Sequence, residues 1–225
     1  VATPSGDVGV SSHLVGEYNL QNILGAIALA SSIGIRKEAI ETGISSLERV
    51  PGRLEKLESK GSRVFRAYVD YAHTGDALER ALEALRPVTS GRLITVFGCG
   101  GNRDRMKRPK MGEAATRLSD FTIVTSDNPR DEDPLEIIKE IEAGIKGPRK
   151  FDTAGVPSSN GYMVIADRKE AIRKAVSLAS SGDTILVAGK GHEDYQIIKG
   201  VKHHFDDFEV LREAMEEGAK AAANR

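Results

Sequence analysis

Apolar and polar positions alternate with a helical period over the first fifty residues. After Asn19, apolar side chains recur every three or four positions, which predicts an amphipathic helix that Gly34 ends. A second, shorter helix is predicted over residues 37–47. A turn at Val50-Pro51-Gly52 follows and indicates a hinge between two units. The chain is therefore expected to begin with a small helical piece.

Beyond that turn, short apolar strands alternate with helices. Strands are predicted over residues 64–70, 93–97, 121–125, 184–188 and 196–201. Helices are predicted over residues 76–86, 168–178 and 207–217, and also from Pro109 and Pro134, because proline favours the first turn of a helix. Residues 147–161 are rich in Gly, Pro and Ser and are predicted to form a loop. This alternation predicts an α/β fold with a mostly parallel sheet covered by helices on both faces.

Composition and charge narrow the class of protein. Because 32 Lys and Arg nearly balance 33 Asp and Glu, giving a formal net charge of -1, we expect no nucleic-acid partner and no membrane surface. No apolar run approaches the ~18 residues that span a bilayer, and residues 1–10 lack the features of a signal peptide. The lone Cys99 suits a reducing compartment, so a cytoplasmic protein is expected. We also expect a monomer and, since the chain begins without methionine in a polar stretch, a fragment.

Four polar clusters directly follow predicted strands. They are DYAH (70–73), GCGGNRDR (98–105), SDNPR (126–130) and GKGHEDY (189–195). In open α/β sheets the carboxyl ends of parallel strands meet at one edge, and ligands bind there. We therefore predict that the four clusters form one shared site.

The glycine-rich cluster does not match a nucleotide-binding motif. Arg103 stands where the third glycine of GxGxxG should be, and Lys190 is followed by Gly191 rather than by the Ser or Thr of a P-loop. The glycines still permit close approach of a ligand to the backbone. A run of cations follows and favours an anion site, with a solvated basic surface as the alternative. The cations are Arg103, Arg105, Lys107, Arg108 and Lys110.

Opposite charges in the last two clusters indicate a zwitterionic ligand. Arg130 follows Pro129, which fixes its approach, and a guanidinium grips a carboxylate with two hydrogen bonds. Asn128 adds a polar group, and Glu193 suits an ammonium group. We predict an amino acid as the ligand. The alternative is that Asp127 and Arg130 pair with each other in a turn.

Three further side chains have chemistry of their own. His73 and His192 could ligate a metal or carry a proton, but hydrogen bonding to a ribose or a phosphate is the favoured interpretation. Cys99 has no histidine nearby in sequence, so a small buried residue is favoured over a nucleophile. We assign no metal site and no catalytic residue to this chain.

Six segments carry a resemblance to a known family. They are GEYNLQN, VPGRLE, VDYAHTGDAL, VFGCGGNRDRMKRP, SDNPRDEDP and AGKGHEDYQII, spanning residue 16 to about residue 198. The sequence resembles the Mur ligase family, and within it the ligases that add meso-diaminopimelate to UDP-MurNAc-L-Ala-D-Glu, a peptidoglycan precursor. The resemblance implies that residues 1–50 end a central ATP-binding domain and that residues 51–225 form a Rossmann-like C-terminal domain. It also implies that ATP phosphorylates the substrate carboxylate and that the amine of the amino acid attacks the acyl phosphate.

The resemblance implies roles for individual residues. Those expected to bind meso-diaminopimelate are Arg103, Asn128, Pro129, Arg130, Gly189 and Glu193. Those expected to contact ATP are Asn19 and Asn22 near adenine, Asp70 at the ribose, and Arg53 and His73 towards the phosphates. Within the amino-acid site, Asn128 and Arg130 would meet the distal carboxylate, and Gly189 and Glu193 the distal ammonium. Mg²⁺ is also implied, with its ligands, the P-loop and the sugar-nucleotide pocket upstream, so the chain by itself is expected to lack ligase activity.

Departures from the family pattern and rival functions complete the expectations. Gly75, Asn102 and Met106 stand where the family usually has proline, aspartate and glycine, each beside a motif residue. One rival is a catalytically inactive homologue that serves as a scaffold or assembly subunit, which Arg130 together with Glu193 argues against. A second is another Mur-like ligase such as a folylpolyglutamate synthetase, in which SDNPR is not expected. A third is a dinucleotide-dependent oxidoreductase, which the failed glycine motif disfavours.

Overall fold

The structure, a computed structural model, describes residues 1–4, 6–59, 63–153 and 160–223. Its strands are β1 (Ala2–Thr3), β2 (Gly6–Asp7), β3 (Glu55–Glu58), β4 (Arg66–Asp70), β5 (Leu93–Phe97), β6 (Phe121–Val124), β7 (Arg149–Lys150), β8 (Gly161–Val164), β9 (Thr184–Ala188), β10 (Tyr195–Ile198) and β11 (Val201–His204). Its α-helices are α1 (Glu17–Ser32), α2 (Lys37–Ser45), α3 (Gly75–Leu85), α4 (Lys107–Leu118), α5 (Pro134–Glu142), α6 (Arg168–Leu178) and α7 (Asp207–Ala223). A 3₁₀ helix covers Arg86–Val88.

The central sheet has seven strands in the order β3-β4-β9-β5-β6-β8-β7. All neighbouring pairs are parallel except β3 and β4, which are antiparallel. Strands β5, β6 and β9 are buried along their whole length, because helices cover both of their faces. The arrangement is a Rossmann-like α/β fold, and it confirms the fold class predicted from the alternation of apolar runs.

Two apolar clusters fill the space between the sheet and its helices. Helices α6 and α7 cover one face of the sheet. On this face Ile172 and Leu211 pack with strand residues such as Val69. Helices α3, α4 and α5 cover the other face, where Leu82 packs with Tyr68, the strand neighbour of Val69. Successive strand residues point to opposite faces. Each central strand therefore contributes to both clusters.

The first fifty residues form a smaller packing unit. Val8, Ile23, Ile27 and Ile40 make a third apolar cluster between α1 and α2. The turn that follows is tied to the sheet, because the Tyr71 backbone N–H donates to the Gly52 carbonyl at 2.9 Å. The positive φ of Gly52, 66°, lets the backbone make this turn. The helical piece and the turn predicted from the sequence are both present.

Several predicted boundaries were wrong. The edge strand β3, the short strand β7 and most of β8 were not predicted, and the predicted loop over residues 147–161 holds β7 and the start of β8. Its residues 154–159 lie outside the described part of the chain. Helix α4 begins at Lys107, two positions before the proline expected to open it. The single strand expected over residues 196–201 is a hairpin, β10–β11. Within the described ranges, none of the helices has both the length and the apolar character that crossing a membrane requires.

Candidate functional site

The four polar clusters line one cavity of about 340 Å³ at the carboxyl edge of the sheet. Strands β4, β9, β5 and β6 are consecutive and parallel, so their carboxyl ends lie side by side. Each of the four clusters contributes to the wall. Among the lining residues are Tyr71, His73, Gly100, Arg103, Lys107, Asp127, Asn128, Arg130, Gly189 and Glu193. The four clusters therefore meet at one cavity, as the sequence predicted.

Arg130 is held by backbone contacts on both sides. Its Nη1 donates to the carbonyl oxygen of Gly101 at 2.8 Å. Its own N–H donates to the carbonyl of Ile197 at 2.9 Å, and its carbonyl accepts from the N–H of Lys199 at 2.6 Å. Its φ of 53° is in the left-handed region, which a non-glycine residue rarely adopts unless its surroundings hold it there. The alternative was that Arg130 pairs with Asp127. Asp127 lies beside Lys190 instead.

Asn128 joins three segments of the site through its side-chain amide. Its Nδ2 donates to Glu193 Oε2 at 2.9 Å. Its Oδ1 accepts from Lys190 Nζ at 3.2 Å and from the backbone N–H of Ile197 at 2.9 Å. The residue is 3% exposed. Asn128 therefore shapes the wall of the cavity, and its remaining amide hydrogen is the group available to a ligand.

Asp127 and Glu193 form an acidic wall of the cavity. The sequence analysis gave no ligand-binding role to Asp127, in this wall, or to Lys190, behind it. Asp127 is buried and lines the cavity, and its Oδ1 makes no properly oriented hydrogen bond with the part of the chain that is described, although Lys190 Nζ lies 3.3 Å away. Lys190 is wholly buried and also lies 3.8 Å from Glu193 Oε2. The two glycines that flank Lys190 were the available signal, because small neighbours permit a long side chain to turn inwards.

The glycine loop supports the site in a different way from the one expected. A Cβ on Gly101 would lie 1.9 Å from the carbonyl oxygen of Pro129, and a Cβ on Gly100 would lie 2.9 Å from Arg130 Nη1. Gly101 is therefore needed for packing against the 128–130 segment, whereas Gly100 lines the cavity beside Arg130. Gly189 faces the cavity with a φ of 119°, and its N–H donates to the carbonyl of Asp70 at 3.0 Å.

Two of the five cations expected to form an anion site are structural. Arg108 is wholly buried and donates to Glu132, to Glu140 and to the carbonyl of Gly100. Arg105 pairs with the same Glu140. The hydrogen bond from Arg108 holds the pKa of Glu132 at about 2. The expected five-cation site was wrong, because Glu132, in the loop before α5, and Glu140, within α5, neutralise part of the run.

Arg103 and Lys107 are the cations of that run that line the cavity. Lys107 Nζ donates to the carbonyl oxygen of His73 at 2.9 Å, which ties the start of α4 to the DYAH cluster. The side chain of Lys110 instead packs beside Gly75 at the start of α3. Positive charge on the cavity lining therefore comes from Arg103, Lys107 and Arg130.

Three of the residues expected to contact ATP line a second cavity of about 580 Å³ between α1, α2 and the 50–53 turn. They are Asn19, Asn22 and Arg53. Asn19 is buried and its Nδ2 donates to the carbonyl of Val15 at 2.7 Å, whereas Asn22 is exposed. The cavity is lined mainly by apolar side chains, a surface suited to a flat ring.

Asp70 and His73 do not join that group. Asp70 is 5% exposed, and its oxygens accept from Tyr18 Oη at 3.1 Å and from the N–H groups of Leu54 and Ala72 at 2.8 Å. Burial raises the pKa of Asp70. His73 lines the cavity at the carboxyl edge of the sheet instead. The five expected ATP contacts are thus divided between two cavities and the wall behind them.

Tyr71 lies between the two cavities. The Arg53 guanidinium carbon is 5.1 Å from the centre of its ring, and the rings of His73 and His192 are 4.7 and 5.4 Å away. A Cβ on Gly191 would lie 2.6 Å from Tyr71 Cβ, so the loop after β9 packs directly on this residue. Both histidine rings therefore contact the ring of Tyr71. Among the described residues, no group of three or more His, Cys, Asp or Glu side chains could hold a metal ion.

Cys99 and the three departures from the family pattern lie away from the ligand-facing surface. Cys99 is buried against Met111, and burial raises its pKa to about 12, as suits a packed thiol rather than a nucleophile. Asn102 has a φ of 51° and its Oδ1 accepts from the N–H of Asp131. Met106 is exposed, and Gly75 opens α3. None of the four lines the cavity.

Comparison with known proteins identifies similar sequences. A family profile described as "Mur ligase, glutamate ligase domain" matches residues 52–191. The chain is 49% identical over 222 residues to UDP-N-acetylmuramoyl-L-alanyl-D-glutamate--2,6-diaminopimelate ligase of Geobacter metallireducens, covering 96% of this chain and 43% of that protein. It is 44% identical over 225 residues to the protein of the same name from Thermosynechococcus vestitus, covering 100% of this chain and 43% of that protein. The chain thus spans less than half the length of these relatives.

Solved structures agree with the sequence matches. A structure of UDP-N-acetylmuramoyl-L-alanyl-D-glutamate--2,6-diaminopimelate ligase aligns with a TM-score of 0.66 and 38% identity, covering 96% of this chain and 42% of that one. The MurF ligase of Thermotoga maritima in complex with ADP aligns with a TM-score of 0.57 and 20% identity, covering 93% and 40%. The second likeness is one of fold alone.

Proposed function

The chain belongs to the Mur ligase family, and from that membership we propose that it supplies amino-acid recognition to an ATP-dependent ligase that adds meso-diaminopimelate to UDP-MurNAc-L-Ala-D-Glu. Residues 51–225 would form the amino-acid-binding domain, and residues 1–50 the end of the central ATP-binding domain. The names of the relatives support this reaction, and so does the cavity at the carboxyl edge of the sheet.

The observation that carries the proposal is the pairing of opposite charges in one cavity. The guanidinium of Arg130 and the carboxylates of Asp127 and Glu193 line the same space, as does Gly189. A guanidinium suits a carboxylate and a carboxylate suits an ammonium group. Meso-diaminopimelate has both groups at its distal end, whereas lysine has only the ammonium group.

The remaining residues would orient that ligand. Arg130 and the free hydrogen of the Asn128 amide would hold the distal carboxylate, and Glu193 with the open backbone at Gly189 would hold the distal ammonium. Pro129 is buried and fixes the backbone before Arg130. Arg103 is exposed at the edge of the cavity, where it would meet a second carboxylate.

The nucleotide would lie on the other side of Tyr71. Asn19 and Asn22 would face adenine in the apolar cavity, with Arg53 and His73 directed towards the phosphates. Asp70 would contribute mainly by holding Tyr18 and the turn at Leu54, because a direct ribose contact requires it to exchange one of these hydrogen bonds. The ligands of Mg²⁺ and the P-loop would come from the part of the enzyme outside this chain.

In the reaction, ATP would convert the substrate carboxylate to an acyl phosphate, and the amine of meso-diaminopimelate would attack it with loss of phosphate. The contribution of this chain is to hold the amino acid so that its reacting amine points out of the cavity. Fixing both distal groups lowers the entropy that remains to be lost at the transition state.

The test joins this chain to the N-terminal length present in its relatives and follows phosphate release with ATP and UDP-MurNAc-L-Ala-D-Glu. Release that depends on meso-diaminopimelate, with L-lysine inactive, is the expected result. If neither amino acid drives release from a folded protein that binds ATP, the ligase proposal fails and the scaffold interpretation replaces it. Equal activity with lysine would contradict the role given to Arg130.

A further inference from the structure

Lys190 occupies a position behind the acidic wall of the cavity. Its Nζ lies 3.2 Å from Asn128 Oδ1, 3.3 Å from Asp127 Oδ1 and 3.8 Å from Glu193 Oε2. Its side chain is wholly buried, while all three of these partners line the cavity. Lys190 therefore acts on a ligand through its partners and does not touch the ligand itself.

The local backbone explains how a lysine comes to be buried there. Gly189 and Gly191 have φ values of 119° and 56°, so the chain reverses on either side of Lys190. The N–H of Glu193 donates to the carbonyl of Lys190 at 3.0 Å and closes the turn. The turn directs Lys190 inwards and leaves Glu193 facing the cavity.

The charges of this group match the ligand only when Lys190 is present. Two carboxylates side by side repel each other, and burial makes an uncompensated charge costly. The ammonium between Asp127 and Glu193 compensates one of them. The three groups together then carry one net negative charge, which suits one ammonium group of a ligand.

We propose that Lys190 is a positioning residue for amino-acid recognition: its ammonium sets the spacing of Asp127, Asn128 and Glu193 and leaves the wall with a single net negative charge. This inference rests on the proposed function. Loss of Lys190 is expected to weaken binding of the amino acid and not of ATP. Loss of a residue that only supports the fold would affect both.

The experiment uses the full-length ligase and the variant Lys190→Ala, which leaves a space that a small amine can enter. We expect the KM for meso-diaminopimelate to rise by about tenfold or more, with the KM for ATP unchanged. Methylammonium chloride should restore the lower KM, whereas tetramethylammonium chloride at equal concentration should not. Lys202→Ala is the matched control, because Lys202 contacts the same Tyr195 ring as Lys190 but is exposed on β11.

Lys190→Arg provides a second variant that keeps the positive charge. A guanidinium is larger than an ammonium group, so the spacing of the wall should change and the KM for meso-diaminopimelate should rise while the KM for ATP is retained. Unchanged KM values in the Ala variant, or an equal rise for every substrate, would overturn the proposal. Failure of both variants to fold would assign Lys190 to folding and overturn it as well.

The wild-type measurement separates this inference from the proposed function. If the wild-type ligase releases no phosphate with meso-diaminopimelate, the proposed function fails and the role of Lys190 falls with it. If the wild type is active and the Lys190 variants keep their KM for the amino acid, only the present inference is wrong.

Discussion

Arg168 and Asp207 form an ion pair that is wholly buried, with Arg168 Nη2 and Asp207 Oδ2 2.7 Å apart. The same guanidinium donates to the carbonyl of Ala188 at 2.9 Å and to that of Ser126 at 3.3 Å, at the ends of β9 and β6. Arg168 begins α6 and Asp207 begins α7. The pair thus joins two helix starts to the strand ends from which the SDNPR and GKGHEDY clusters continue.

Breaking this pair should strongly destabilise the fold. Arg168→Met leaves a buried carboxylate without its partner, so we expect the free energy of unfolding to fall by about 3–5 kcal/mol. Urea unfolding measures it. The double variant Arg168→Met with Asp207→Leu should recover much of the loss, since no charge remains buried. Arg173→Met is the surface control and should cost about 1 kcal/mol or less, because Arg173 is only half-buried and its partners Glu170 and Glu217 are exposed. An equal loss in the double variant would contradict the charge argument.

Arg130→Gln should selectively impair use of meso-diaminopimelate. Removing one partner of a charge-assisted hydrogen-bonded pair costs on the order of 2–5 kcal/mol, so kcat/KM for this substrate should fall by at least ~30-fold. Steady-state phosphate release measures the effect. Arg105→Gln is the matched control, because Arg105 pairs with Glu140 and does not line the cavity. A comparable loss in both variants would show that charge near the loop, not contact with the ligand, is what matters.

Gly52→Ala should destabilise the fold more than Gly34→Ala. Both glycines have positive φ, 66° and 82°, so each substitution carries backbone strain of about 1–2 kcal/mol. A Cβ on Gly52 would also lie 2.3 Å from the backbone nitrogen of His192, whereas nothing lies within 4 Å of one on Gly34. We expect an additional loss of about 1–3 kcal/mol for Gly52. Thermal unfolding compares the two, and equal shifts in Tm would mean that the contact with the GKGHEDY loop relaxes freely.

Stability should decline in acid as Glu132 is protonated. Arg108 lowers the pKa of Glu132 from 4.5 to about 2. A depressed carboxyl pKa contributes stability above the ordinary value, and that contribution is lost as pH falls from about 4.5 towards 2. Glu132→Gln should flatten this part of the stability curve, measured by urea unfolding at each pH. Glu136→Gln, on the exposed side of α5, should leave the slope unchanged. A slope that persists in Glu132→Gln would place the titrating group elsewhere.

The parallel core could be predicted from the sequence because its strands are continuous apolar runs between turn signals. Edge strands lack that pattern. Strand β3 reads EKLE, with Lys56 and Glu58 exposed on one face, and β7 has only two residues, both charged and exposed. Helix α4 was predicted to start at its proline, but proline is compatible with any position in the first turn, where backbone N–H groups have no helical partner.

The sequence predicted the parts of the candidate site whose positions are set by the ends of the strands. Arg130, Asn128 and Glu193 were found because their clusters follow β6 and β9, two parallel strands separated in the sheet by β5 alone. The roles of Arg108 and Lys190 could not be predicted. The sequence around a cationic residue does not show whether its side chain faces a ligand or a buried carboxylate. Only packing distinguishes Arg108 beside Glu132 from Arg103 at the cavity.

Under the proposed function, the contacts of β10 with the SDNPR segment have a consequence for how selectivity for an amino acid evolves. Gln196 donates to the carbonyl of Asp127, and Ile197 is hydrogen-bonded to both Asn128 and Arg130. Two stretches more than sixty residues apart in the chain therefore form a single module. Recombination between related genes with a crossover between them would separate the halves of that module. Redirecting such a ligase to another amino acid would accordingly require the two stretches to be exchanged together.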